Sequence, residues 1–134
     1  MKIVLDTNVL ISGLLNPNGI PGFIVRLVAS GYIELAYDYR IIAEYENVMS
    51  RPKFHIAQQN ITDLIEQIKV NGQHTSPLPL DLSIPDPEDL KFLEAAISSG
   101  ALYLVTGNLK QFPVPEFKGI KIISPAEFFE HILK

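Results

Sequence analysis

Five acids and one amide fall where a side-chain oxygen can meet a ligand: Asp6, Glu44, Asp86, Glu88, Asp89 and Asn108. Asp6 follows directly on the apolar run Ile3-Val4-Leu5 and precedes Thr7-Asn8 and a new apolar stretch, Val9-Leu10-Ile11. That places its carboxylate at the carboxyl end of a buried strand. In open α/β sheets the crevice outside the strand tips is where ligands bind. Clustered oxygens in a chain with no cysteine favour a hard divalent cation.

Each of these residues also has an ordinary structural job to be weighed. Asp6 would serve as the N-cap of the following helix, yet Thr7 or Asn8 can cap equally well, which frees Asp6 for chemistry. Glu44 lies among Ile41, Ile42, Tyr45 and Val48, on or beside an apolar stripe where an unpaired carboxylate is costly. Spacing alone leaves Glu44 open between a ligand and a flank residue that snorkels to solvent, whereas Glu46 should face water. Asp86-Pro87-Glu88-Asp89 reads as a helix start, with Asp86 at the N-cap, Pro87 in the first helical position and negative charge in the first turn. A spacing of three puts Asp86 and Asp89 on one side of that turn, so Asp86 is assigned mainly to structure and Asp89 mainly to chemistry. Glu88 is expected to point elsewhere. Asn108 follows Thr106-Gly107 at another strand end and either caps the next short helix or orients a metal-bound water.

The elements that must position these groups are legible as alternating patterns. Strands are expected at Lys2–Leu5, Tyr32–Tyr37, weakly at Leu78–Leu82, at Leu102–Val105 and at Ile120–Ile123. Between them lie helical patterns: Val9 to Leu15; Phe23, Ile24, Leu27 and Val28, stopped by Ser30-Gly31; and Tyr39 to Met49, stopped by Arg51-Pro52. Ile61, Leu64, Ile65 and Ile68 mark a fourth helix, Leu90, Phe92, Leu93, Ala96 and Ile97 a fifth, and Pro125 to Leu133 a closing one. Strands alternating with helices imply βαβ crossovers and a parallel sheet wrapped on both faces, an α/β fold. Four prolines make Thr75 to Pro87 the least regular segment, an extended edge strand and loop rather than a domain linker.

The chain has 134 residues, about one domain's worth, and residues 1–134 read as a single globular unit. An apolar content of 47% and a mean hydropathy of +0.19 argue against disorder. No apolar run approaches the roughly 18 residues of a membrane helix, and the N-terminus does not resemble a secretory signal. A soluble protein of the reducing cytoplasm, with no membrane partner, is the expectation. Eleven basic against fifteen acidic residues give a net charge of −4, which alone disfavours a phosphate-rich partner. Cations held among four or so of the acids would cancel that excess locally. Arg51, Lys53, Lys110, Lys118 and Lys121 would then be free to form a basic patch beside the site, against the plainer reading of a solvated mixed-charge surface.

The ordered motifs Leu5-Asp6-Thr7-Asn8-Val9, Glu44-Tyr45-Glu46-Asn47-Val48 with Arg51-Pro52-Lys53-Phe54, Asp86-Pro87-Glu88-Asp89 leading to Ala95-Ala96, and Val105-Thr106-Gly107-Asn108 cover nearly the whole chain. In them the chain resembles PIN-domain proteins, in particular the small single-domain ones regarded as toxin components of toxin–antitoxin pairs. The resemblance implies a three-layer, Rossmann-like α/β/α sandwich around a mostly parallel sheet. It also implies a Mg²⁺- or Mn²⁺-dependent endoribonuclease acting on RNA, often a homodimer inhibited by a small antitoxin protein. By position, Asp6, Glu44 and Asp89 match the family's three metal-site acids, with Asp86 auxiliary, and Thr7 matches the polar residue after the first acid. The fourth acidic position falls on Asn108, whose amide offers a ligand oxygen without charge and so weakens a second metal site.

The mechanism this suggests is hydrolysis of an RNA phosphodiester, with a cation at Asp6, Glu44 and Asp89 and with Asp89 as proton acceptor. Two rivals stand beside it. A phosphohydrolase of the haloacid-dehalogenase type also begins with a strand-end Asp, but wants a second Asp two residues on, where this chain has Asn8. An inactive PIN-like binding module is the rival from another class, and Asn108 keeps it open. His55, His74 and His131 read as surface residues rather than catalysts. Among five tyrosines and seven phenylalanines, Tyr39, Phe54 and Phe112 are the candidates for exposed stacking on single-stranded bases, with core packing the first reading for each.

Overall fold

The computed structural model describes residues 1–112 and 114–133. A six-stranded sheet forms its middle layer, with the strands ordered β3-β2-β1-β4-β6-β5. They are β1 (Lys2–Leu5), β2 (Glu34–Tyr37), β3 (Gln73–His74), β4 (Tyr103–Val105), β5 (Glu116–Phe117) and β6 (Ile120–Ile123). Every pairing is parallel except β5 with β6. Six helices flank it: α1 (Thr7–Leu15), α2 (Ile20–Ala29), α3 (Tyr39–Met49), α4 (Gln58–Asn71), α5 (Leu90–Ser99) and α6 (Pro125–Leu133). This is a three-layer, mostly parallel α/β architecture, as the alternating patterns and the resemblance in motifs implied.

The physical reason is burial on both faces. Ile3, Val4 and Leu5 are completely enclosed, as parallel strands covered by helices must be. α5 packs on β1, β2 and β4, while α1 packs against α2 and α3, and α2 reaches α4 and α6. From β1 the chain builds outward through β2 and β3, then returns to the other side of β1 with β4 and β6. The carboxyl tip of β1 is therefore the topological switch point, where connecting loops diverge and leave a crevice.

Three features depart from the sequence reading. Residues Leu78–Leu82 form no strand. The Leu80 amide donates instead to the Glu94 carboxylate at 2.7 Å, so a side chain satisfies backbone that Pro77 and Pro79 withhold from a ladder. The edge strand on that side is the two-residue β3, pairing Tyr37 with His74, too short for a period-2 pattern to show. On the opposite edge β5 and β6 form an antiparallel hairpin through Lys118 (φ 50°) and Gly119 (φ 85°), the two left-handed residues that a tight hairpin turn requires.

Tyr45 ties this frame to the strand tip. It is fully enclosed, and its hydroxyl donates to the Leu5 carbonyl at 2.6 Å, fixing α3 beside the end of β1. Burial above all, then the charges of Asp6 and Glu44, push its phenol well above the usual range, so it stays a donor. Tyr45→Phe is expected to lose about 1–2 kcal/mol, seen as a lower urea midpoint at unchanged slope.

Candidate active site

At the switch point two neighbouring strand ends fix each other. The Asp6 amide donates to the Val105 carbonyl at 2.9 Å, carrying the β1–β4 pairing one step past the strands. Thr106, wholly buried, donates its hydroxyl to the Asp6 carboxylate at 2.7 Å and accepts from the Asn108 amide at 3.0 Å. Asp6, and not Thr7 or Asn8, occupies the N-cap position of α1; it makes no side-chain capping bond, and its carboxylate accepts from Thr106 instead. Burial raises its pKa, with Glu44 adding to the effect, while the Thr106 hydroxyl and the amides of Asn8 and Thr7 work against it.

α3 supplies the second group. Asp38 caps it by accepting from the amides of Arg40 and Ile41. Ile41, Ile42, Tyr45 and Met49 then face the core, which leaves Glu44 beside the buried stripe. The Thr7 hydroxyl donates to the Glu44 carboxylate, and the Lys91 ammonium meets its other oxygen at 2.6 Å. Lys91 is only 6% exposed. It donates also to the Glu88 carbonyl at 2.8 Å and has the Glu88 carboxylate at 3.7 Å.

The segment before α5 supplies the rest. The Asp86 carboxylate accepts from the Glu88 amide at 3.0 Å and caps the 3₁₀ turn Pro87–Asp89, the structural role assigned to it. Asp89 begins α5 without a side-chain capping bond. Its carboxyl is pushed up to about 6, first by burial, then by the charges of Asp6, Asp86 and Glu44, with Lys91 opposing them. Asn108 makes no capping bond to the 3₁₀ turn Leu109–Gln111, so of its two expected roles the capping one is not found. Glu88, expected to point away, has a largely exposed carboxylate yet stands at the rim of the cleft.

All six nominated residues thus border one cleft of about 440 Å³, together with Asn47, Arg51 and Gln111. Of the five basic residues considered for a flanking patch, Arg51 alone is among those lining it. The Gln111 side-chain oxygen is enclosed with no donor among the described residues. Sequence reasoning missed Lys91, Glu94 and the role of Thr106. The first two carried a signal: in Leu90-Lys91-Phe92-Leu93-Glu94 at least one charge must share the apolar face of α5, and a buried charge demands a partner. Lys91 finds Glu44, and Glu94 finds Arg40 at 2.7 Å.

As a donor set the cleft suits a hard cation: its acids offer only oxygen, and burial, with neighbouring carboxylates adding to it, already raises two of them against their charge. Among the described residues no three Asp, Glu, His or Cys side chains stand close enough to grip an ion as they are. Lys91 supplies the countercharge at Glu44.

Residues 2–110 match the PIN domain. The chain belongs to the PIN-domain family. A relative, "Uncharacterized protein MJ1680" of Methanocaldococcus jannaschii, is 28% identical over 145 aligned residues that cover all of this chain and 93% of that protein. No solved structure matches the chain significantly. PIN domains are in general nucleases that use divalent metals, so membership supports a hydrolase of the nuclease type. No helix among the described residues is long and apolar enough to cross a membrane.

The electrostatics make two outcomes measurable. Asp89 has a folded pKa of about 6, above its unfolded value of about 3.9, so the folded state holds the proton more tightly and ionisation destabilises it. That penalty is complete above about pH 7 and absent below about pH 4. In metal-free protein Asp89→Asn should therefore gain about 1–2 kcal/mol at pH 7.5 after solvent screening, and the gain should vanish in melts at pH 4. Lys91→Met should cost about 2 kcal/mol by leaving Glu44 unpaired. Adding Glu44→Gln should recover much of that loss in a double-mutant cycle.

Proposed function

We propose that this PIN domain hydrolyses RNA phosphodiester bonds as a Mg²⁺- or Mn²⁺-dependent endoribonuclease. In this reading Asp6, Glu44 and Asp89 form the catalytic and metal-holding set, with Asp86 and Asn108 as auxiliary oxygens. The observation that carries it is the convergence of carboxylates from three separate segments on one cleft at the switch point, where burial first and neighbouring charge second raise Asp6 and Asp89. When bound, the cation supplies positive charge for the phosphate and acidifies water.

The chain's own groups do the remaining work. Thr106 holds Asp6 in one orientation, and Thr7 with Lys91 holds Glu44. Asp89, which lines the cleft and makes no side-chain capping bond, is placed to take the proton of the attacking water. Water adds to phosphorus as the bond to the leaving ribose oxygen breaks. Asn108 contributes an oxygen without charge, which favours one cation over two. The reading extends to a homodimeric cytoplasmic toxin held in check by an antitoxin protein, supported by the resemblance in motifs alone.

A second reading, a catalytically silent PIN module that only binds, is favoured by Lys91 neutralising Glu44 and by Asn108 replacing an acid. A cleavage assay on single-stranded RNA with Mn²⁺ separates the two. Asp6→Asn should lower the metal-dependent rate at least a hundredfold with an intact melting transition. Cleavage undiminished in that variant would sink the assignment, and RNA binding without cleavage by the unaltered protein would select the second reading.

A further inference from the structure

Tyr39 opens α3 and is 80% exposed, an unusual position for a ring at the ligand-binding end of a sheet. One side of it rests on His74, with ring centroids 4.9 Å apart and planes tilted by 58°. His74 is in turn braced edge-on against Tyr37 at 5.7 Å. The other face of Tyr39 is open to solvent on a ring whose backbone is fixed by the Asp38 cap. Phe54 is partly packed on the core and Phe112 is buried, so of the three stacking candidates only Tyr39 offers a free face.

Three hollows run in succession from that ring to the acids. The first is bordered by Tyr39, Arg40 and His74; the second shares Arg40 with it and is bordered also by Glu44 and Glu88; the third is the acidic cleft, which shares Glu44 and Glu88 with the second. The row follows α3, because Arg40, Glu44 and Asn47, with Arg51 just past the helix end, recur at spacings of four, three and four and so share a side. α3 spans about 15 Å from Tyr39 to Met49. Arg40 is committed to Asp38 and Glu94, at 2.7 Å each. Arg51 lines the acidic cleft and makes no ion pair among the described residues.

We propose that this row of hollows along α3 is the bed of a single-stranded RNA track, with a base stacked on Tyr39, which borders the first hollow beside Arg40, and a backbone phosphate at Arg51 at the other end. It rests on the nuclease reading for the position of the scissile bond, over Glu44 between the two ends. Stacking is indifferent to base identity, and a flexible single strand can present an unpaired base to the ring and a phosphate to the cation together. A duplex keeps its bases stacked on one another and cannot use the ring.

The test is fluorescence anisotropy of a short labelled single-stranded oligoribonucleotide, read in the Asp6→Asn background so that the probe stays intact. Tyr39→Ala should weaken binding about tenfold, while Tyr39→Phe binds like the parent. Arg51→Gln should lower the slope of log affinity against log salt by about one, a readout that a merely structural arginine would not move. Tyr39→Ala binding as tightly as the parent, an equal loss in Tyr39→Phe, an unchanged salt slope in Arg51→Gln, or equal affinity for duplex RNA would each overturn the track. Cleavage by the unaltered protein is scored separately. Tyr39-dependent binding without any cleavage removes the nuclease reading and keeps the track, whereas cleavage with Tyr39-independent binding does the reverse.

Discussion

Like charges crowded at one strand tip are the constraint around which the molecule is organised. Asp6, Glu44 and the Asp86/Asp89 pair come from three segments and would separate in solution, yet the fold holds them around a single cleft. The raised pKa values of Asp6 and Asp89 record first their burial and then repulsion from the neighbouring carboxylates. What opposes it is the apolar frame beneath: β1 with no exposed side chain from Ile3 to Leu5, and the α3 ring of Tyr45 locked to its last carbonyl. Stability spent on the core is used at the tip to keep charge poorly solvated, a tension expected of sites that work through charge.

The buried cation Lys91 belongs to the same arrangement. Without a positive group, Glu44 would face Asp6 and Asp89 with no countercharge, so an internal ammonium moderates the field. Its bond to the Glu88 carbonyl also secures the first turn of α5. One lysine thereby connects the electrostatics of the cleft to the placement of Asp89, which starts that same helix.

The parts of this design that could be read from the sequence are those with local periodicity. Ile3-Val4-Leu5 ending in Asp6 announced a buried strand with a charge at its tip, and Ile41, Ile42, Tyr45 and Val48 placed Glu44 on or beside an apolar stripe. The short and the long-range features were not legible. β3 and β5 have two residues each, below the length at which alternation means anything. The pairings of Lys91 with Glu44 and of Thr106 with Asp6 join residues 47 and 100 apart, and single-sequence spacing carries no record of who meets whom across such distances. Asn108 was ambiguous for a different reason: an amide after a strand suits a cap and a ligand equally, and only its failure to cap removes the first.

The two flanking strands carry a consequence for how this molecule meets others. β3 and β5 close the sheet on either side with only two residues each, and the hairpin turn at Lys118-Gly119 folds the second of them back on β6. Among the described residues each border therefore presents a short row of free amides and carbonyls, a poor template for an added strand. Assembly of this chain with itself or with a partner is thereby steered away from edge-to-edge sheet growth and toward its helical surfaces, where recognition is set by side chains.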